Sequence, residues 1–136
     1  MVEGVLSGDG KCEWVAFELE EDLEIAKSQL AQEYLKLYSM PVIEVTGIEV
    51  NTENKGSGTS MLKSLLEDFS EVPVIALVKF DNMSDLIQME ENPDYKKEFE
   101  ERLIHFFSKN GFVDLKLPVE LEGRPMINVN GSSIAL

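Results

Sequence analysis

Residues 42–80 constrain the fold of this chain more than any other segment. Val42 to Val50 (VIEVTGIEV) is dense in β-branched residues and reads as a strand. Asn51 to Gly58 is polar and carries two glycines, which suits a loop. Thr59 to Phe69 then places Met61, Leu62, Leu65, Leu66 and Phe69 on one helical face. Pro73 opens Val74 to Phe80 (VIALVKF), whose almost unbroken apolar run suits a strand covered on both sides. Strand, loop, helix and strand in this order make a βαβ-like unit, so the expected fold is α/β with at least one parallel strand pair.

The flanking segments are read in the same way. Ser7 to Gly10 is a loop, and Cys12 to Leu19 (CEWVAFEL) is a strand with Trp14, Ala16 and Glu18 on one side. An acidic start at Glu20 to Asp22 opens a helix whose buried stripe is Leu23, Ala26, Leu30, Tyr34 and Leu37, closed by Met40-Pro41. Asp81 to Tyr95 reads as a surface insertion. Lys96 to Lys109 is a helix with Phe99, Leu103, Phe106 and Phe107 inward, ended by Asn110-Gly111 as a left-handed cap. Two strands, Val113 to Leu117 and Met126 to Leu136, finish the chain around a Pro118 to Pro125 turn region. The whole of residues 1–136 reads as one domain, its length matching a single core.

Charge narrows the function classes. There are 26 acidic against 12 basic residues, a net of -14, which repels phosphate backbones and anionic lipid. No nucleic-acid or membrane partner is therefore expected, and a cationic partner is the natural complement. No apolar run is long enough to span a bilayer, the first residues lack a secretory pattern, and a single cysteine excludes an internal disulfide. These features point to a cytoplasmic protein. One cysteine and one histidine give no Cys/His zinc set, so no metal is expected, and Cys12 reads as a small buried hydrophobe rather than a nucleophile.

The chemically pointed segment is Asn54-Lys55-Gly56-Ser57-Gly58-Thr59, between a strand and a helix. Amides of a first helical turn have no internal acceptor, and glycines let them approach an anion closely. The spacing is neither that of a P-loop nor a GxGxxG fingerprint, since Met61 stands where a third glycine would be. An ordinary strand-to-helix turn is the competing reading. Against it, Asn54 to Leu66 carries Lys55 and Lys63 and no acid, a locally positive island in an acidic chain.

This loop with its flanking strands, followed by Phe106-Phe107-Ser108-Lys109-Asn110-Gly111-Phe112, resembles the core of the GCN5-related N-acetyltransferases. The resemblance covers roughly the last two thirds of the chain, with residues 1–40 as a divergent N-terminal part and residues 42–136 as a CoA-binding core. It implies a mixed, splayed β-sheet flanked by helices, an acyl-CoA N-acyltransferase-like fold. It also implies acetyl-CoA as cosubstrate, held by Asn54, Lys55, Gly56, Ser57, Gly58 and Thr59 at its pyrophosphate. Pantetheine would lie against Ile48, Glu49 and Val50 on one side and Ala76 to Lys79 on the other. The chain departs from the family at Glu53, where glutamine or arginine is usual, and at Phe107, where a tyrosine often protonates the leaving thiolate. A register shifted by two would put Lys55 in place of Glu53, at the expense of Lys63 and Ser64 in apolar helix positions.

The activity so implied is acetyl transfer to a primary amine of a cationic small molecule or peptide, by direct attack in a ternary complex. Glu49 is the first candidate for the general base, with a solvent-facing strand carboxylate as the alternative reading. His105, the one imidazole of the chain, reads as a surface or packing residue, and Tyr95 of the insertion is a more speculative substitute for the thiolate acid. The acidic tracts Glu13 to Glu24 and Asp81 to Tyr95 suit either a cationic acceptor or a solvated surface. Two other classes remain open: a non-catalytic CoA-binding or acidic interaction protein on a degenerate fold of this type, and an acidic mimic of nucleic acid. A homodimer is compatible with each.

Overall fold

The structure, a computed structural model, describes residues 2–18, 28–50, 56–79 and 94–136. Val2–Gly8 (β1) and Gly10–Phe17 (β2) form an antiparallel hairpin turning at Asp9. Helix α1 spans Gln29–Tyr38, and strand β3 follows over Val42–Val50. Helix α2 is Ser57–Asp68, strand β4 is Val74–Val78, and helix α3 is Tyr95–Lys109. Val113–Asp114 (β5) and Arg124–Asn128 (β6) complete a six-stranded sheet ordered β1-β2-β3-β4-β6-β5. Among the described residues β3 and β4 are the one parallel pair; the other neighbours are antiparallel.

Side chains alternate across this sheet into two cores. Ile43, Val45, Val74, Ala76 and Val78 pack with Met61, Leu62 and Leu65 of α2 and Phe107 of α3. On the other face Phe17, Val42, Ile75 and Ile127 pack with Leu30, Ala31, Tyr34 and Leu35 of α1. β4 feeds both cores, which explains its unbroken apolar run: alternate residues are needed on each side. Each fully buried leucine or isoleucine here contributes about 1.5–3 kcal/mol of transfer free energy.

The helix ends are set by local chemistry. Ser28 caps α1 by accepting from the Ala31 amide at 3.2 Å, and Ser39, left-handed at φ 50°, closes it by donating its own amide to Leu35 O. The buried stripe runs through Leu30, Ala31, Tyr34 and Leu35, which leaves the expected inward residue Leu37 at the margin and 48% exposed. The residues assigned to the start of this helix, 20–27, lie outside the described residues, as does the insertion up to residue 93.

At the end of α3, Gly111 (φ 89°) gives its amide to Ser108 O and Phe112 gives its amide to Phe107 O. That pair of bonds is a Schellman cap, and its usual apolar contact is here the edge-on packing of Phe107 against Phe112, with ring centroids 5.1 Å apart. The Phe-Phe-x-x-x-Gly-Phe run is thus a helix terminator and a core contact in one. Asn128 donates from Nδ2 to Asn110 O, tying the cap to β6.

Three sequence expectations are corrected. The expected loop over Ser7 to Gly10 shrinks to Asp9, because Ser7 and Gly8 end a strand over residues 2–8 and Gly10 begins the next; Gly4 is needed in the first because a Cβ would fall inside the van der Waals shell of the Trp14 ring on the neighbouring strand. The last strand ends at Asn128 rather than continuing to Leu136. Asn130 turns left-handed (φ 49°), and its Nδ2 donates to the carbonyls of Leu66, Phe69 and Val72 at 2.9, 3.0 and 3.3 Å, satisfying the C-terminal end of α2. The strand after α3 stops at Asp114, which Arg124 of β6 grips with two bonds of 2.7 and 2.8 Å.

Cys12 lies at 0% exposure in the α2-side core, and burial, helped by the nearby Glu13 carboxylate, pushes its thiol up to about 11. In the folded protein it is expected to resist iodoacetamide at pH 8 and to react fully in denaturant; fast labelling of the native protein would contradict this placement.

Candidate functional site

The parallel ladder between β3 and β4 is short. Ile43, Glu44 and Val45 pair with Val74, Ile75 and Ala76, and there the pairing stops, although β3 runs on to Val50 and β4 to Val78. The cause is on the opposite edge of β3. Glu13 pairs with Gly47 and Trp14 with Val45, so Thr46 is an extra residue, a β-bulge. A bulge bends its strand and adds twist, and this one sits at the point where β3 leaves β4. The sheet is therefore open between the C-terminal halves of its two parallel strands.

α2 follows from the same end of β3. Its N-cap, Gly56, is left-handed (φ 75°), a conformation that favours glycine, and a Cβ there would meet open space. The first intrahelical bond runs from the Ser60 amide to Gly56 O at 2.9 Å, so the amides of Ser57, Gly58 and Thr59 have no acceptor within the helix. The helix has no acid in its first turn and no side-chain cap of its own. Instead Ser57 Oγ donates at 2.9 Å to Asp9 Oδ2 from the tip of the β1–β2 turn. A carboxylate thus stands beside the positive end of the helix dipole, where it stabilises the helix and competes with any other anion.

Of the residues singled out from sequence, Gly56, Ser57, Gly58 and Thr59 come together at this helix start, and Ile48 lies on β3 beyond the bulge, packed toward the α2-side core. The backbones of Glu49 and Val50 continue β3 opposite Lys11 and Gly10, while their side chains, with Asn54, Lys55 and Glu53, lie outside the described residues. His105 is exposed on α3, and the Tyr95 side chain is also outside the described residues. Phe107 is 6% exposed and belongs to the core.

Two groups were not anticipated. Asp9 is one. The other is Glu44, two residues before the bulge and only 6% exposed. Its carboxyl is pushed above the ordinary range by burial, against the lowering effects of the Ser28 hydroxyl, which donates to Oε2 at 2.6 Å, and of the Lys79 charge. The available signal was a carboxylate inside an otherwise apolar VIEV run. Among the described residues no helix is long and apolar enough to cross a membrane.

No family model and no curated protein matches the chain. Among solved structures it is similar to the crystal structure of the anti-CRISPR protein AcrVA5, with a TM-score of 0.53 and 15% sequence identity over 93% of this chain and 98% of that one. The likeness establishes the fold: α/β, with a six-stranded mixed and open sheet of the acyl-CoA N-acyltransferase-like kind.

Proposed function

We propose that this protein is an acetyl-CoA-dependent N-acetyltransferase acting on a primary amine of a cationic small molecule or peptide. The observation that carries the reading is the bulge-driven opening of β3 from β4, with α2, whose first amides have no acceptor within the helix, following from the same strand end. A gap between two strands suits a slender acyl-pantetheine arm. Strand amides beyond Val45, released from the ladder, are available to polarise a thioester carbonyl. Residues 54–59 would take the pyrophosphate, and Glu49 would deprotonate the ammonium acceptor, directly or through water. Attack of the free amine on the thioester then gives the acetamide and releases CoA as the thiol.

CoA at 100 times its dissociation constant is expected to stabilise the protein by about 2.7 kcal/mol, a rise in Tm on the order of 10 °C for a chain of this size. An unchanged Tm at millimolar CoA would refute the reading. A second reading, CoA binding without catalysis, is favoured by Phe107, whose ring is locked in the α3 cap and has no proton to give. Bound CoA with no thiol release across a broad panel of amines would select it.

A further inference from the structure

The chain contains two Asn-Gly pairs, Asn110-Gly111 and Asn130-Gly131, and each asparagine serves a helix end. Asn110 Nδ2 donates at 2.8 Å to Phe106 O of α3. Asn130 holds more. The two hydrogens of its Nδ2 are shared among the carbonyls of Leu66, Phe69 and Val72, and its own carbonyl accepts from the Glu71 amide at 2.9 Å. Glu71 is itself left-handed at φ 69°, a strained conformation for a residue with a Cβ. Asn130 thus grips the turn from α2 into β4 through both its side chain and its backbone.

The grip is pinned locally as well. Asn130 and Gly131, at φ 49° and 75°, are the central residues of a type I′ turn that the Ser132 amide closes on Val129 O at 2.8 Å. The Asn130 amide donates to Asn128 Oδ1 at 2.8 Å. An asparagine followed by glycine is open to attack by its own backbone, because glycine has no Cβ to shield the amide nitrogen. In that reaction Gly131 N bonds to Asn130 Cγ and the Cγ–Nδ2 bond breaks. The proton lost by the glycine amide leaves with Nδ2 as ammonia, and water then opens the five-membered imide at either carbonyl to give aspartate or isoaspartate. Attack requires Cγ to swing onto Gly131 N. The native turn prevents this by holding Nδ2 on three carbonyls.

We infer that Asn130 is a spontaneous deamidation site that the fold keeps closed, and that its conversion permanently unlatches the C-terminal end of α2. An ionised carboxylate only accepts hydrogen bonds. In place of Nδ2 it sets an oxygen against three carbonyl oxygens, at a helix end that is already negative. Isoaspartate also lengthens the backbone inside the two-residue turn. Modification therefore follows opening of the turn and blocks its closing, so a chain that stays open long enough is marked and cannot return.

Peptide mapping by mass spectrometry tests this on the full chain, incubated at neutral pH in native buffer and in denaturing urea. Asn130 is expected to convert roughly tenfold or more faster in urea, since the native chain reacts only through its small open population. After dilution from urea, the refolded fraction separated by size exclusion should be depleted of chains modified at Asn130. Gly131→Ala should slow conversion at Asn130 in urea and leave Asn110 unchanged, which locates the nucleophile. Asn130→Asp should lower Tm by roughly 5–10 °C, and Asn110→Asp, which loses one bond, by markedly less. If Asn130→Asp does not fold, mapping and refolding of the unaltered chain still decide. Equal conversion of Asn130 in native buffer and urea, full refolding of the modified chains, or an Asn130→Asp Tm within about 1 °C of the unaltered protein overturns the inference.

Discussion

Replacing Phe112 with alanine is expected to lower the unfolding free energy by about 3–5 kcal/mol, the range for deleting a buried phenylalanine. Phe112 is 2% exposed, its amide closes the last turn of α3 on Phe107 O, and its ring fills the space beside Phe107. Truncation keeps the amide bond but removes the apolar half of the cap, leaving a cavity between α3 and the sheet. Phe112→Leu should cost markedly less, since most of the volume is retained. Urea denaturation followed by far-ultraviolet dichroism measures both. A loss below about 1 kcal/mol for the alanine variant would mean that the ring can be spared, and that the cap is held by its backbone bonds alone.

This prediction also separates two roles of one stretch of sequence. The run from Phe106 to Phe112 was legible because everything it does is local: helix, left-handed glycine, and a ring five residues on that packs back. The strands Val42–Val50 and Val74–Val78 and the helix Ser57–Asp68 were legible for a similar reason, since β-branched density and helical spacing are properties of short windows. What escaped depends on partners distant in sequence. The bulge at Thr46 exists only in relation to Glu13 and Trp14, and its one local trace is Gly47 inside an otherwise strong strand. The strand at residues 2–8 contains Gly4, which weakens any local reading until Trp14 is seen to occupy the space of its missing side chain. The early end of β6 is imposed by Asn130 reaching carbonyls about sixty residues back in the chain. The candidate site divides in the same way. Its glycine loop follows from spacing, whereas Glu44 becomes notable through burial and Asp9 through a fold that carries a hairpin tip to a helix 48 residues away.

Asp9 gives the most direct handle on whether that helix start holds an anion. Asp9→Asn keeps an oxygen able to accept from Ser57 Oγ and removes the charge, so the hairpin should stay seated. The helix loses a favourable charge at its N-terminus, a cost of about 0.3–1 kcal/mol in stability. A bound pyrophosphate, however, would no longer face a carboxylate. At an exposed site the relief is discounted by solvent and salt, and a gain in CoA affinity of about three- to fivefold at low ionic strength is expected. Because the Debye length shrinks from about 10 Å at 0.1 M salt to about 3 Å at 1 M, the advantage of the variant should fade across that range. The two effects have opposite signs, lower stability of the free protein and tighter CoA, and a merely structural Asp9 would produce only the first. Calorimetry at two salt concentrations distinguishes these cases: unchanged or weaker CoA binding by Asp9→Asn at low salt would place the pyrophosphate somewhere other than the start of α2.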